Sequence, residues 1–595
     1  MDPTRIFDLL DRAVELYQKP DFLSKKKHGS WHNISTQEYY NISHNLAAGF
    51  LDFGLKRESK VITLCSNCPE WNFIDMALAL ANMVHVPIYS TLSTEDYYHI
   101  FTHSDAEAIC VGNLVLFNRI SEAYNKLSTK PKIIFLEQPK DAVEIEFTPL
   151  NNLISNGLNN YNKYSTPISE NKANISENEL FTIIYTSGTT GTPKGVMLSH
   201  KNLIFNALGH AHKQIRNSNH KMLSFLPLCH IYERSMNYDY QYLGISIYYA
   251  ESLATIAADL SSSNADGFCA VPRVLEQMYA KLEAVSKDLK GIKKYIYNWA
   301  FKLGVNYSNT NKSPLYRAKI FLADKLIYSK WRENLGGKEM LVVSGGSAIS
   351  AKIVRLFNAA KLQIYEGYGM TECSPVIAVN NPSEGINIIG TVGLPMDGTE
   401  LSFAEDGEIL TRGPHIMLGY YKDPEYTKTV IDSNGWLHTG DIGTLVDGKY
   451  VKITDRKKEI FKLSAGKYVA PQVIENRLKE SPFIENCIVL GSNQKFTSAI
   501  IIPNKSKLIE LANKKKIEYS SADELLVNTI IYKKIKEEIE SVNKTLAPHE
   551  QVKKERLIFD EWSVDNNMLS QTLKLKRKSV EAKYKEIINS IYKIS

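Results

Sequence analysis

Short apolar runs ending in glycine-rich turns alternate along this chain with segments whose apolar positions recur at helical spacing. Residues 180–185, Leu-Phe-Thr-Ile-Ile-Tyr, form one such run and read as a buried strand. Ser199 stands where a helix N-cap belongs, ahead of a helical segment. Residues 340–343 repeat the strand pattern just before Gly345 and Gly346. Ser350 is the expected cap of a helix whose Ile353, Leu356, Phe357 and Ala360 share one face. Residues 362–365 follow as a further strand. This order predicts an α/β body with largely parallel sheets.

Three stretches depart from the alternation. Residues 280–335 are rich in Lys, Tyr, Leu and Trp, with few turn signals outside 309–314, and predict mostly helix. Their basic and aromatic mixture is compatible with peripheral membrane contact, but solvated helices packed on the body are the expectation. Residues 521–547 predict densely charged helix with a solvated face. Residues 151–178, rich in Asn and Ser, read as loop.

The length of 595 residues calls for more than one domain, and a charged fraction of 23% argues against global disorder. Charge is unevenly spread. Residues 456–595 hold 27 basic against 18 acidic residues, +9, while residues 1–455 hold 44 against 47, −3. A basic C-terminal part suits an anionic partner. No nucleic-acid reading motif is recognisable, so nucleic acid is not the expected one. Seven cysteines without framework spacing favour a reducing, cytoplasmic setting. Cys65 and Cys68 form a lone C-x-x-C, a weak metal or redox signal. No window is apolar enough for a membrane span, so membrane contact would be peripheral. An oligomer is compatible with all of this.

The strongest chemical signal is Tyr185-Thr-Ser-Gly-Thr-Thr-Gly-Thr-Pro-Lys-Gly195. Glycines let the backbone approach a polyphosphate, and successive N–H groups form an anion nest. The run offers Thr186, Ser187, Gly188, Thr189, Thr190, Gly191 and Lys194 to that purpose. It is not a Walker A loop, because Pro193 precedes Lys194 and Gly195 follows it.

The run resembles the phosphate-binding signature of the adenylate-forming superfamily, which includes acyl-CoA synthetases, peptide-synthetase adenylation domains and firefly luciferase. Further matches follow in order. Gly345-Gly-Ser-Ala-Ile-Ser350 resembles the adenine-side loop, placing Gly345, Gly346 and Ser347 there. Tyr365-Glu-Gly-Tyr-Gly-Met-Thr-Glu372 resembles the aromatic and acidic signature, which implicates Glu366, Gly367, Tyr368, Gly369, Met370 and Thr371 in nucleotide binding. Gly435-Trp-Leu-His-Thr-Gly-Asp441 resembles the ribose signature, and Asp455-Arg-Lys-Lys-Glu-Ile-Phe-Lys462 with Gly466-Lys-Tyr-Val-Ala-Pro471 the interdomain hinge region. The resemblance implies a large N-terminal body of packed sheets and helices, residues 1–457, and a small mobile C-terminal α+β domain, residues 458–595. It implies ATP and Mg2+ as cofactors and coenzyme A as co-substrate.

Residue roles follow from the same resemblance. Glu372 and Thr186 are the expected Mg2+ ligands, hard oxygens suited to that ion. Asp441 would accept the ribose hydroxyls, Arg456 would donate to the nucleotide, and Tyr368 would offer a ring face to adenine. The segment Met568-Leu-Ser-Gln-Thr-Leu-Lys574 resembles the one carrying the mobile catalytic lysine, here Lys574, with Gln571 where Pro is frequent. Lys458 is the expected hinge residue. Such an enzyme meets two anions at the α-phosphorus and needs cations and fixed donors rather than a strong base.

Leu226-Pro-Leu-Cys-His-Ile-Tyr-Glu-Arg234 resembles the H-x-x-E-R form of long-chain acyl-CoA synthetases and puts His230 beside the acyl site. The segment 327–337 and the helical insertion before it agree. A long-chain fatty acid is therefore the expected acyl substrate. The alternatives are a fatty acyl-AMP ligase that loads a carrier protein and a non-catalytic acyl or nucleotide sensor.

Overall fold

The structure is a computed structural model that describes every residue except 1, 28, 188–191, 310–312, 564–565, 567, 571–574, 594 and 595. The chain divides into two compact units. The first comprises residues 1–401 with Thr411–Leu437, and the second Ser402–Leu410 with residues 438–595. Residues 402–410 and 438–457, which the sequence-based division at 457/458 gives to the N-terminal body, thus pack with the smaller unit.

Two large sheets carry the first unit. Among the described residues one has eight strands, with Val84–Pro87, Lys60–Leu64, Ala108–Val111, Lys132–Phe135 and Phe147–Pro149 parallel to Leu180–Ser187. The other has nine, and its parallel interior runs from Leu362–Gly369 through Met340–Ser344, Gly267–Ala270 and Lys221–Ser224 to Ser246–Tyr249 and Leu23–Lys27. Parallel strands buried on both faces read as continuous apolar runs, and residues 340–343 are such a run in the sequence. The run 180–185 extends to Ser187 and turns back as the antiparallel strand Pro193–Ser199. Ser199 caps the following helix, His200–Ala211, by accepting from the Asn202 N–H. Ser350 precedes the helix Ala351–Ala359 as expected, although its side chain makes no capping bond.

Residues 151–178 are not loop. They form the helices Leu150–Asn159 and Tyr161–Asn174. Asn and Ser are poor helix formers, but tertiary packing overrides that preference. The first of these helices crosses Thr36–Asp52 so closely that a Cβ on Gly157 would lie 1.8 Å from the Asn45 carbonyl oxygen, and one on Gly49 2.2 Å from that of Leu153. The two glycines permit backbone-to-backbone contact.

In 280–335 the helices Gly291–Val305 and Pro314–Ala323 appear as expected, and Gly291–Val305 buries Tyr297, Ala300 and Gly304. The second unit holds a three-stranded sheet, Ile484–Leu490, Thr497–Pro503 and Val552–Leu557. The charged helix Thr529–Asn543 lays Ile531, Ile535 and Ile539, spaced four apart, into that unit's core.

Candidate active site

The hairpin Leu180–Ser187/Pro193–Ser199 brings Thr186 opposite Lys194 and Ser187 opposite Pro193. Gly188, Thr189, Thr190 and Gly191, expected to cradle phosphate, lie outside the described residues. Lys194 does not extend into solvent. Its Nζ is 3.0 Å from Asp423 Oδ2 and 3.5 Å from the centre of the Tyr426 ring. A small cavity of about 150 Å³ opens beside it, bounded by His99, His103, Tyr420 and Tyr421 among others.

Glu372 lies in a short 3-10 turn, Thr371–Cys373, after the strand Leu362–Gly369. The Tyr420 hydroxyl donates to its Oε1 at 2.8 Å. Tyr420 belongs to the two-residue strand Gly419–Tyr420, which pairs with Val196 and Met197 of the hairpin. One tyrosine thus ties the strand carrying Lys194 to the carboxylate expected to bind metal. Burial, then the adjoining Glu372, raises the Tyr420 phenol far above its ordinary value, so it stays a donor.

Two asparagines on the helix after the hairpin hold these pieces. Asn202 Nδ2 donates to the Pro414 and Ile416 carbonyls at 2.7 and 2.8 Å. Asn206 Nδ2 donates to the Cys373 and Val376 carbonyls at 3.2 and 2.9 Å, and the Met417 N–H donates to the Glu372 carbonyl at 2.9 Å. Sequence reasoning passed over Asn202, Asn206, Tyr420 and Asp423. Only Asp423 carried a local signal, an N-cap residue before Pro424.

The adenine-side expectations fall on the ends of two neighbouring strands. Gly345 is buried against the Tyr232 ring, 3.3 Å from where its Cβ would stand, while Gly346 and Ser347 are exposed. Gly346 has φ +85°, which suits glycine. Glu366 points inward. Its carboxylate accepts from the Gly390 N–H at 3.1 Å, and burial pushes it up to about 7. Gly367, Tyr368, Gly369 and Met370 are half-buried, and Thr371 is buried. A Cβ at Gly369 would meet the Pro375 carbonyl oxygen at 1.8 Å.

The H-x-x-E-R segment separates into different roles. His230 caps the helix Ile231–Leu243, its Nδ1 accepting from the Tyr232 N–H at 3.1 Å. Arg234 is fully buried. It donates to Asp75 at 2.5 Å and to Thr182 at 2.8 Å, and Asp75 also accepts from Tyr238 at 2.6 Å. His85 lies 2.6 Å from the same carboxylate, and burial pushes it down to about 4. Arg234 therefore ties its helix to Asp75 and to Thr182 of the strand Leu180–Ser187. Glu233 is buried beside Arg234, and among the described residues neither carboxylate oxygen has a hydrogen-bond partner. Burial pushes it up to about 8, with only the nearby Ser224 hydroxyl opposing the shift.

In the second unit, pairing of Leu437–Val446 with Tyr450–Arg456 sets Asp441 opposite Arg456. Arg456 Nε is 2.9 Å from Asp441 Oδ1, so the two expected nucleotide contacts hold one another in place. Lys458 is exposed in the turn that follows. Its neighbour Lys457 is anchored to Asp406 and Glu408, each at 2.7 Å. Burial pushes Asp455, just before this turn, up to about 7. Lys574 lies outside the described residues.

The largely parallel sheets and the hairpin that sets Lys194 opposite Thr186 form an adenylation-domain fold. The chain belongs to the AMP-binding enzyme family: residues 11–421 match the model of the AMP-binding enzyme and residues 458–595 that of its C-terminal domain. It is 32% identical to "Long chain acyl-CoA synthetase 6, peroxisomal" of Arabidopsis thaliana, over 92% of this chain and 80% of that protein. It is 30% identical to "Long-chain-fatty-acid--CoA ligase 1" of Homo sapiens, over 99% and 87%. A solved adenylation domain of carboxylic acid reductase from Segniliparus rugosus, in complex with AMP and a co-purified carboxylic acid, shares the fold. Its TM-score is 0.73 at 18% identity, over 99% of this chain and 94% of that one. Among the described residues no helix is long and apolar enough to cross a membrane.

Proposed function

We propose that this protein is a long-chain fatty acid–CoA ligase. It joins a fatty acid to ATP as acyl-AMP with release of pyrophosphate, and the coenzyme A thiol then displaces AMP. The observation that carries the reading is near-full-length similarity to relatives named for that reaction, in a chain that keeps Glu372, Lys194, Asp441, Arg456 and Lys574 at the matching motif positions.

Thr186, Ser187, the loop 188–191 and Lys194 bind the phosphates, which exchange with Asp423 as the partner of Lys194. Gly345, Gly346, Ser347 and the run from Glu366 to Thr371 flank the adenine, with Tyr368 against its face. Asp441 and Arg456 take the ribose and neighbouring nucleotide atoms. Glu372, oriented by Tyr420, fits Mg2+ as an anionic oxygen ligand, with the Thr186 hydroxyl as a second. When bound, Mg2+ neutralises charge on the phosphates. Lys574 neutralises charge developing between carboxylate and α-phosphate. The C-terminal domain, residues 458–595, turns about Lys458 between the two half-reactions. His230 lies at the acyl side.

The test is product analysis across fatty acids of rising length. AMP and pyrophosphate should form only with acid present, with kcat/KM rising by up to about 0.8 kcal/mol per buried methylene. ADP and phosphate would overturn the family chemistry. A preference for acetate or an aromatic acid would overturn the long-chain reading alone. Adenylate that reaches a phosphopantetheinylated protein but not free coenzyme A would favour a carrier-loading ligase.

A further inference from the structure

The helices Gly291–Val305 and Pro314–Ala323 pack on the body by one side and carry large apolar side chains on the other. Ile292 is 75% exposed, Tyr295 74%, Leu315 67% and Phe321 70%. Ile292 and Tyr295 stand three apart on one helix, one turn of the same outward stripe. The inward stripe of that helix is a different set, Tyr297, Ala300 and Gly304. A Cβ on Gly304 would meet Leu356 at 2.6 Å, so this side is committed to the core. The outer apolar residues instead stay largely exposed among the described residues.

Charge singles out the same segment. Between residues 286 and 322 the sequence holds eight Lys and Arg against Asp288 alone, +7. The rest of residues 1–455 carries −10. Lys290, Lys293, Lys294, Lys302, Arg317 and Lys319 are all exposed around the apolar residues. Exposed aromatic and aliphatic side chains ringed by lysines are the composition of helices that lie in a membrane interface, with apolar groups among the acyl chains and ammonium groups among the headgroups.

We propose that the outer face of these two helices docks on a lipid surface bearing anionic headgroups. The occupant follows from complementarity. A second copy offering the same face would bring two strongly positive patches together, which like-charge repulsion disfavours. A zwitterionic surface would leave the excess charge unused, whereas an anionic leaflet attracts each basic residue within a Debye length. The segment carries none of the residues assigned to the nucleotide, so docking leaves that machinery untouched.

The experiment is co-sedimentation of the full chain with phosphatidylcholine vesicles made with and without phosphatidylserine. Wild type should partition onto the phosphatidylserine vesicles and be released by salt. Lys293→Glu combined with Lys294→Glu should lower that partitioning by about tenfold or more. Ile292→Ser, Tyr295→Ser and Phe321→Ser together should also lower it, with melting temperature and turnover of detergent-dispersed acid unchanged in both variants. Failure of wild type to bind, or equal binding by the variants, overturns the proposal. So does light scattering that shows wild type self-associating through this face while the variants do not. Vesicle binding requires no turnover, so these outcomes stand apart from the ligase reading.

Discussion

The Tyr420 hydroxyl donates a hydrogen bond to Glu372 Oε1 at 2.8 Å, and the Tyr420 backbone simultaneously extends the sheet of the Leu180–Ser187/Pro193–Ser199 hairpin at Val196. A carboxylate in a three-residue turn has few local restraints, and this bond supplies one that is charge-assisted. Tyr420→Phe should raise the Mg2+ concentration for half-saturation of nucleotide binding by about tenfold, the worth of one hydrogen bond to a charged group. Glu372→Gln should cost more, on the order of 10²-fold in nucleotide-dependent activity. Calorimetric titration at several Mg2+ levels checks both. A lower melting temperature with unchanged Mg2+ dependence would make the hydroxyl purely structural.

The buried Glu233 makes stability depend on pH. A free glutamate titrates near 4.5, and in the fold this one is pushed up to about 8. Between those values the folded chain holds a proton that the unfolded chain has released, so this contribution to stability falls as pH rises. Glu233→Gln removes the titration. Its melting temperature relative to wild type should therefore be higher at about pH 8.5 than at about pH 5. A difference that does not change with pH would refute the assignment.

The close crossing of Thr36–Asp52 with Leu150–Asn159 predicts intolerance of any side chain at its contact point. A Cβ at Gly157 would meet backbone rather than a movable side chain. Gly157→Ala should lose about 1–3 kcal/mol, an overpacking cost exceeding the gain in helix propensity. Denaturant unfolding measures this. A gain in stability would mean that the helices separate at little cost.

Lys574 and Lys458 should affect different half-reactions. Lys574→Ala should abolish acyl-AMP formation yet still convert supplied acyl-AMP and coenzyme A to thioester. Lys458→Pro, which restricts φ and removes a backbone donor, should form acyl-AMP and stall before the thioester. Single-turnover analysis of each half separates them. Equal losses in both halves would remove the rotating-domain mechanism together with both assignments.

Local chemistry determined much of this protein by itself. The runs at 180–185 and 340–343 define strands because a parallel strand buried on both faces is largely apolar, and 362–365 keeps enough of that pattern despite its exposed Gln363. Ser199 announces its helix because capping is settled within four residues. The family was legible because its motifs hold particular side chains at fixed spacing along the chain. Tertiary structure alone decided the rest. Within 151–178 the helix Leu150–Asn159 packs where Gly49 and Gly157 meet 108 positions apart in the chain, a contact that no local preference encodes. Arg234 left its motif neighbours for a core ion pair with Asp75, 159 residues away. Tyr420 met Glu372 because two strands and an asparagine-studded helix carried them together. Such partners are chosen by packing and by the need to satisfy buried polar groups, and both are properties of the assembled fold.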